Sequence, residues 1–184
     1  MVYSLLEFKE FASWGSPEWF YRYSFTHVKV LIDKNMEIQK LVNDKGRIPE
    51  IHVNKFVKGS LDGYINFVYR SLKGMRDNDL LAARLEAAYS IPLFFDVIFA
   101  IHNGRLRPYY KYLAWELENF PLTKLSIDAK QIVESIRKIL DTADLRTQQD
   151  LLIMMELVLR KEGHGEVFDE WGDDLIWMKT FKLD

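Results

Sequence analysis

The stretch Leu61-Asp62-Gly63-Tyr64-Ile65-Asn66-Phe67-Val68-Tyr69-Arg70-Ser71-Leu72-Lys73 decides how this chain folds. Leu61, Ile65, Val68 and Leu72 recur at intervals of three and four, with Asp62, Asn66, Arg70 and Lys73 as a polar stripe beside them. That spacing matches the helical repeat and predicts a long amphipathic helix buried along one side. Reading toward the C-terminus, Asp77-Asn78-Asp79 offers an N-cap to a second helix beginning near Leu80. It carries the apolar run 90–101, is expected to kink at Pro92, and is closed by Asn103-Gly104, where a positive φ is tolerated. A third helix is predicted over 108–119, with Pro108 in its first turn and Pro121 just past its end. Two more follow over 126–141 and 145–161, the last closed by Gly163. The glycine-punctuated tail 163–172, with Phe168 and Trp171, is expected to fold back over the bundle.

Toward the N-terminus the pattern changes. Over 25–33, Val28, Val30 and Ile32 alternate at a period of two, which predicts a strand. A turn over 33–36 and a returning strand over 37–42 complete a predicted β-hairpin. Phe8, Phe11, Trp14, Trp19, Phe20, Tyr21, Tyr23 and Phe25 make the opening too rich in large rings to be a loose tail, and Gly15-Ser16-Pro17 interrupts any helix there. The sequence thus predicts an α+β chain, mostly α. An aromatic lead-in and short hairpin occupy 1–48, and a bundle of about five helices with a C-terminal tail occupies 49–184.

Composition narrows the function. With 48% hydrophobic and 28% charged residues, the chain is globular rather than disordered. The absence of cysteine removes disulfide frameworks and thiolate metal sites. A formal net charge of −2 gives no global attraction for nucleic acid. The longest apolar run is about half the roughly 20 residues that span a bilayer, and the first ten residues lack a signal peptide's basic and apolar regions. A cytoplasmic protein without a membrane partner is therefore expected. His27, His52, His102 and His164 show no metal-ligand spacing, and His102, ending an apolar helix, reads as a capped or core histidine.

Three stretches together carry a family resemblance. The first is His27-Val28-Lys29-Val30-Leu31-Ile32-Asp33-Lys34 with Glu37-Ile38 after it; the second is the 61–73 stretch, continuing into Ala83-Arg84-Leu85-Glu86-Ala87-Ala88. The third is Gly104-Arg105-Leu106-Arg107-Pro108-Tyr109-Tyr110-Lys111-Tyr112-Leu113, with Trp115-Glu116-Leu117 and the late Gly163-His164-Gly165 and Trp171-Gly172-Asp173-Asp174-Leu175. In these the chain resembles bacterial and archaeal nucleotidyltransferase-domain proteins, and specifically their C-terminal, helical, substrate-side part. The family implies a small sheet bearing Gly-Ser and two aspartates one residue apart, which hold divalent metal against a triphosphate. Here Gly15-Ser16 is followed by no acidic pair, Gly59-Ser60 leads into a helix, and Asp77-Asn78-Asp79 lies between helices. The resemblance therefore implies no independent transferase activity and no cofactor for this chain alone. Mg2+ and a nucleoside triphosphate would enter only where a site is completed by a homo-oligomer or by a separate nucleotidyltransferase-domain chain. By pattern Glu86 matches a helical-domain general base, and Asp33 lies near the expected third carboxylate, although Lys29 holds the alternate strand position. Similar helical domains include toxin-type RNases that work beside a nucleotidyltransferase antitoxin, which gives an alternative function; the arginine-spacer-histidine motif of those enzymes is not evident. A non-catalytic interaction module is a third reading.

The residues themselves offer one further candidate. Arg105, Arg107, Tyr109, Tyr110 and Lys111 combine guanidinium forks with stackable rings, which suits a nucleotide or another anion. Arg70, Lys73 and Arg84 extend this predicted substrate-binding set across the first two helices. The competing reading of Arg84, beside Glu86 and Asp62, is a buried structural ion-pair network.

Overall fold

The face set by Leu61, Ile65, Val68 and Leu72 is buried in helix α3 (Glu50–Arg76), 27 residues long in the computed structural model, which describes residues 2–183. The chain reverses at Asn78, which takes a left-handed conformation, and returns as α4 (Leu80–Ala100). Asp79 caps α4 as its sequence predicts, its carboxylate accepting the Ala82 N–H at 3.0 Å. The two helices pack along their lengths, and glycine permits the closest approach: a Cβ on Gly74 would lie 2.8 Å from the Ala83 nitrogen. Helix α4 is apolar around most of its circumference because it is the centre of the core. Phe94, Phe95, Ile98 and Phe99 are all fully buried, each side chain contributing about 2 kcal/mol of transfer free energy. Helix α4 continues through Pro92, and Asn103 and Gly104, both with positive φ, end it.

The helix predicted from Pro108 begins later. Tyr109 is extended, a 3-10 turn spans Tyr110–Tyr112, and only then does α5 (Leu113–Asn119) start. Helix α6 (Ala129–Thr142) opens on a capping box, in which the Asp128 side chain accepts the Gln131 N–H and the Gln131 side chain accepts the Asp128 N–H. Helix α7 (Leu145–Lys161) is capped by Asp144 and followed by Gly163 at φ 88°. The tail does fold back, as helix α8 (Gly165–Thr180), broken at Gly172, whose φ is 47°. Buried Gln149 of α7 donates to the Met178 and Phe181 carbonyls at the end of α8, and Trp171 donates to Asp62 of α3 at 3.0 Å.

The predicted hairpin is not formed. Among the described residues there is no strand, only an isolated antiparallel bridge between Arg47 and Arg105, where the Ile48 N–H donates to the Gly104 carbonyl at 2.8 Å. The segment read as the second strand lies in helix α2 (Glu37–Lys45), because Ile38, Leu41, Val42 and Lys45 recur at helical intervals and outweigh the alternation. Residues 28–32 therefore have no strand to pair with. The side chain of Gln39 serves instead: its carbonyl accepts the Val30 N–H at 2.8 Å and its amide donates to the Val28 carbonyl at 3.4 Å. Leu31 and Ile32 stand 90% and 83% exposed. Preceding them, α1 (Leu5–Glu10) and a 3-10 segment, Trp19–Phe25, carry the aromatic residues onto the bundle. Trp14, Trp19 and Phe56 meet edge to face or tilted, and Trp14 stacks on His52. Among the described residues no helix is long and apolar enough to cross a membrane.

Candidate functional site

The arm over residues 2–48 crosses the start of α3 and the end of α4, and a cavity of about 1180 Å³ opens there. Its walls include the two most deeply buried cations of the chain, Arg22 and Lys45, each only 4% exposed. Each is held by backbone carbonyls and, among the described residues, by no carboxylate. Arg22 donates to the carbonyls of Ala12 at 3.0 Å, Arg47 at 2.8 Å and Asp44, and its Nε is buried without a partner. Lys45 Nζ donates to the Lys9 carbonyl at 3.0 Å and to that of Phe11. Burial lowers the proton affinity of both groups; the Arg22 charge lowers that of Lys45 further, while Asp44 partly offsets the effect at Arg22. Carbonyl oxygens satisfy hydrogens without cancelling charge, so the pair leaves positive potential in the cavity wall.

Two further features bear on its charge. Helix α3 begins at this cavity behind Pro49, which supplies no side-chain cap, and the His52 N–H bonds the Pro49 carbonyl, so the positive end of the helix dipole lies at the cavity wall. Arg47 lines the same space and forms no ion pair with a described residue, whereas Lys9 pairs with Glu37 at 2.9 Å. Glu50, Asp44 and Glu162 also lie on the rim; Glu162 is engaged by Lys124. The arrangement is a partly walled cavity that brings a helix N-terminus and the charges of Arg22, Lys45 and Arg47 together with those of Asp44, Glu50 and Glu162.

A second polar centre fastens the arm. Glu116 of α5, 1% exposed, accepts hydrogen bonds from the Tyr23 hydroxyl at 2.9 Å, His27 Nε2 at 2.7 Å and Arg105 Nη2 at 2.9 Å. Burial and the Glu116 carboxylate together push the Tyr23 hydroxyl far above its ordinary range. His27 also stacks on Phe120 and meets Trp115 edge-on. Every strong contact of this cluster is internal, which marks it as a clasp between arm and bundle.

The structure scatters the residues the sequence suggested. Asp33 accepts the Gln39 N–H at 2.7 Å at the start of α2. Glu86, half-buried, pairs with the exposed Arg70 at 2.5 Å, Lys73 lies over the Tyr69 ring at 5.1 Å, and Arg84 donates to the Asp141 carbonyl. Asp62, Arg84 and Glu86 therefore have separate partners, and Arg84 is exposed; the buried network expected of them is absent among the described residues. Arg105 belongs to the Glu116 clasp. Arg107 pairs with Asp96 at 2.8 Å, the Tyr109 hydroxyl lies against Ser24 and the Phe20 carbonyl, and Lys111 sits over Tyr112 at 4.7 Å. His102 is the capped core histidine the sequence suggested: its Nδ1 bonds the Ile98 carbonyl at 2.6 Å and its Nε2 accepts the Lys124 N–H at 3.0 Å. Sequence reasoning missed Arg22 and Lys45. Their signal was present, since Arg22 sits inside the aromatic run and Lys45 completes the apolar face of Ile38, Leu41 and Val42.

Among the described residues, no three His, Asp or Glu side chains lie close enough together to hold a metal ion. No family model matches the chain, and no curated protein or solved structure is significantly similar to it.

Proposed function

We propose that this protein binds an anionic, phosphate-bearing ligand in the cavity between its N-terminal arm and the α3 N-terminus, and does not itself transfer nucleotidyl groups. The observation that carries this is the pair Arg22 and Lys45, both buried in the cavity wall against carbonyls with no carboxylate of a described residue bonded to either. An anion seated there offsets two charges that the fold cancels only in part, through Asp44, and it meets the N-terminus of α3. The resemblance to the substrate-side part of nucleotidyltransferases makes a nucleotide the first ligand to test. It also makes a second copy, or a separate nucleotidyltransferase-domain chain, the partner to seek in the cytoplasm. The exposed apolar side chains of Leu81, Leu85 and Tyr89 along α4 support such a partner.

Calorimetric titration with ATP and Mg2+, and separately with pyrophosphate, tests the ligand. Binding is expected in both, weakened by at least about tenfold in Lys45→Met, the loss of one charge-assisted contact. Silence toward both ligands overturns the reading. Sedimentation velocity tests the partner, and a monomer at all concentrations removes the homo-oligomer.

A further inference from the structure

A second cavity, of about 420 Å³, has a different chemistry. Ile48 lines both cavities, and Trp14 of the first meets Trp19 of the second at 5.2 Å between centroids. The smaller one is walled chiefly by rings, Trp19, Phe56, Tyr109 and Tyr110 among them. Aromatic walls favour a flat, aromatic occupant over an aliphatic one, through offset stacking and edge-to-face contact. The volume falls within the roughly 300–1,000 Å³ of small-molecule sites, toward the lower end.

The polar groups of this slot define its specificity. Asp96, on the otherwise apolar helix α4, has a side chain only 13% exposed, and Arg107 Nε donates to its Oδ1 at 2.8 Å. Arg107 Nη1 donates to the Tyr110 hydroxyl at 2.6 Å, and the guanidinium lies 5.4 Å from the centre of that ring. Asp96 Oδ2 and Arg107 Nη2 carry no hydrogen bond from any described residue. Burial pushes the Asp96 carboxyl up to about 6 against the opposing pull of Arg107, a sign that this carboxylate is under-solvated. The slot therefore presents one acceptor and one donor side by side. Their charges cancel, which disfavours both a cationic and an anionic occupant.

We propose that this slot binds a neutral planar heterocycle that has an N–H donor next to an acceptor on one edge, stacked between the rings, with Asp96 accepting and Arg107 donating. The site is independent of the anion reading, because such a ring needs no phosphate and neither Arg22 nor Lys45 lines the slot.

The test uses quinazolin-4-one, which offers an N–H beside a carbonyl, and its N3-methyl derivative, in which a methyl group replaces the donor hydrogen. Saturation-transfer NMR and calorimetry on the full chain are expected to show quinazolin-4-one binding and the methylated ring binding about tenfold or more weakly, the loss of one hydrogen bond to a charged acceptor. Asp96→Asn turns its amide oxygen toward Arg107 and its NH2 toward the ligand, so the difference between the two probes should vanish. Lys45→Met should leave quinazolin-4-one binding unchanged, which separates this site from the anion cavity. Failure of both probes to bind at millimolar concentration, or equal binding of both to the unaltered chain, overturns the proposal. Those two results need no variant, so an unstable Asp96→Asn does not rescue it.

Discussion

The α3–α4 hairpin and the N-terminal arm are held by opposite kinds of force. Between α3 and α4 the contact is apolar and glycine-tight, with Phe94, Phe95 and Phe99 fully buried. The arm is attached to the bundle through ring contacts and the Glu116 clasp, and two cations anchored on the arm's own carbonyls hold its turns together. A core of the first kind loses stability in proportion to the volume removed, whereas an attachment of the second kind fails through individual polar groups. The hairpin is therefore scaffold, and the arm is the part whose attachment rests on a few polar groups and rings.

The largest expected effect separates the two regions most sharply. Phe95→Ala should destabilise the whole chain by about 3–5 kcal/mol in urea unfolding, while Phe20→Ala, on the exposed side of the arm, should cost less than about 0.5 kcal/mol. Comparable costs at both positions would mean that the arm belongs to the same core. Glu116→Gln comes next, because it leaves Arg105 beside a neutral partner in a buried setting. A loss of about 2–4 kcal/mol is expected, with amide hydrogen exchange accelerating over residues 19–27 and unchanged across α3 and α4.

Lys45→Met sharpens the comparison further. Removing an uncancelled buried charge relieves desolvation but strands the carbonyls of Lys9 and Phe11, so the ligand-free melting should change by less than about 1 kcal/mol. A loss of 3 kcal/mol or more would make the cation a structural clip. Two buried groups also give pH effects of opposite sign. His102 binds its proton more weakly when folded, because of burial, so stability should fall as pH drops below about 6.5. Asp96 holds its proton up to about 6 when folded and releases it near 3.8 when unfolded. Its contribution to stability should therefore decline as pH rises from about 4 to 6. Subtracting the urea midpoints of Asp96→Asn from those of the unaltered chain across that window isolates the second slope. The smallest effect belongs to Glu86→Gln, where an ion pair with the solvent-exposed Arg70 should contribute less than about 1 kcal/mol and leave ligand binding untouched.

Most of the bundle was legible from residue spacing, since Leu61, Ile65, Val68 and Leu72 and the caps at Asp79, Asp128, Gly104 and Gly163 all act locally. The hairpin was misread because 28–32 has a strand's alternation, and alternation says nothing about whether a second strand exists to receive it. Ile38, Leu41 and Val42 fit a helix better than a strand, but only the extension to Lys45 made the period plain. Very little of the candidate site was legible. Arg22 and Lys45 are placed by carbonyls from distant turns, and Asp96 and Arg107 meet across a reversal of the chain; neither pairing leaves a spacing in the sequence. The Arg105–Lys111 run did mark a polar region, yet its members divide between the clasp and the aromatic slot.

The amide of Gln39 occupies both hydrogen-bonding groups that residues 28 and 30 would otherwise offer along an extended, apolar edge. An exposed edge of that kind recruits other extended chains, and Lys29 and Lys34 supply only modest repulsion against it. One glutamine thus takes up the two backbone groups through which this segment would most readily accept another extended chain.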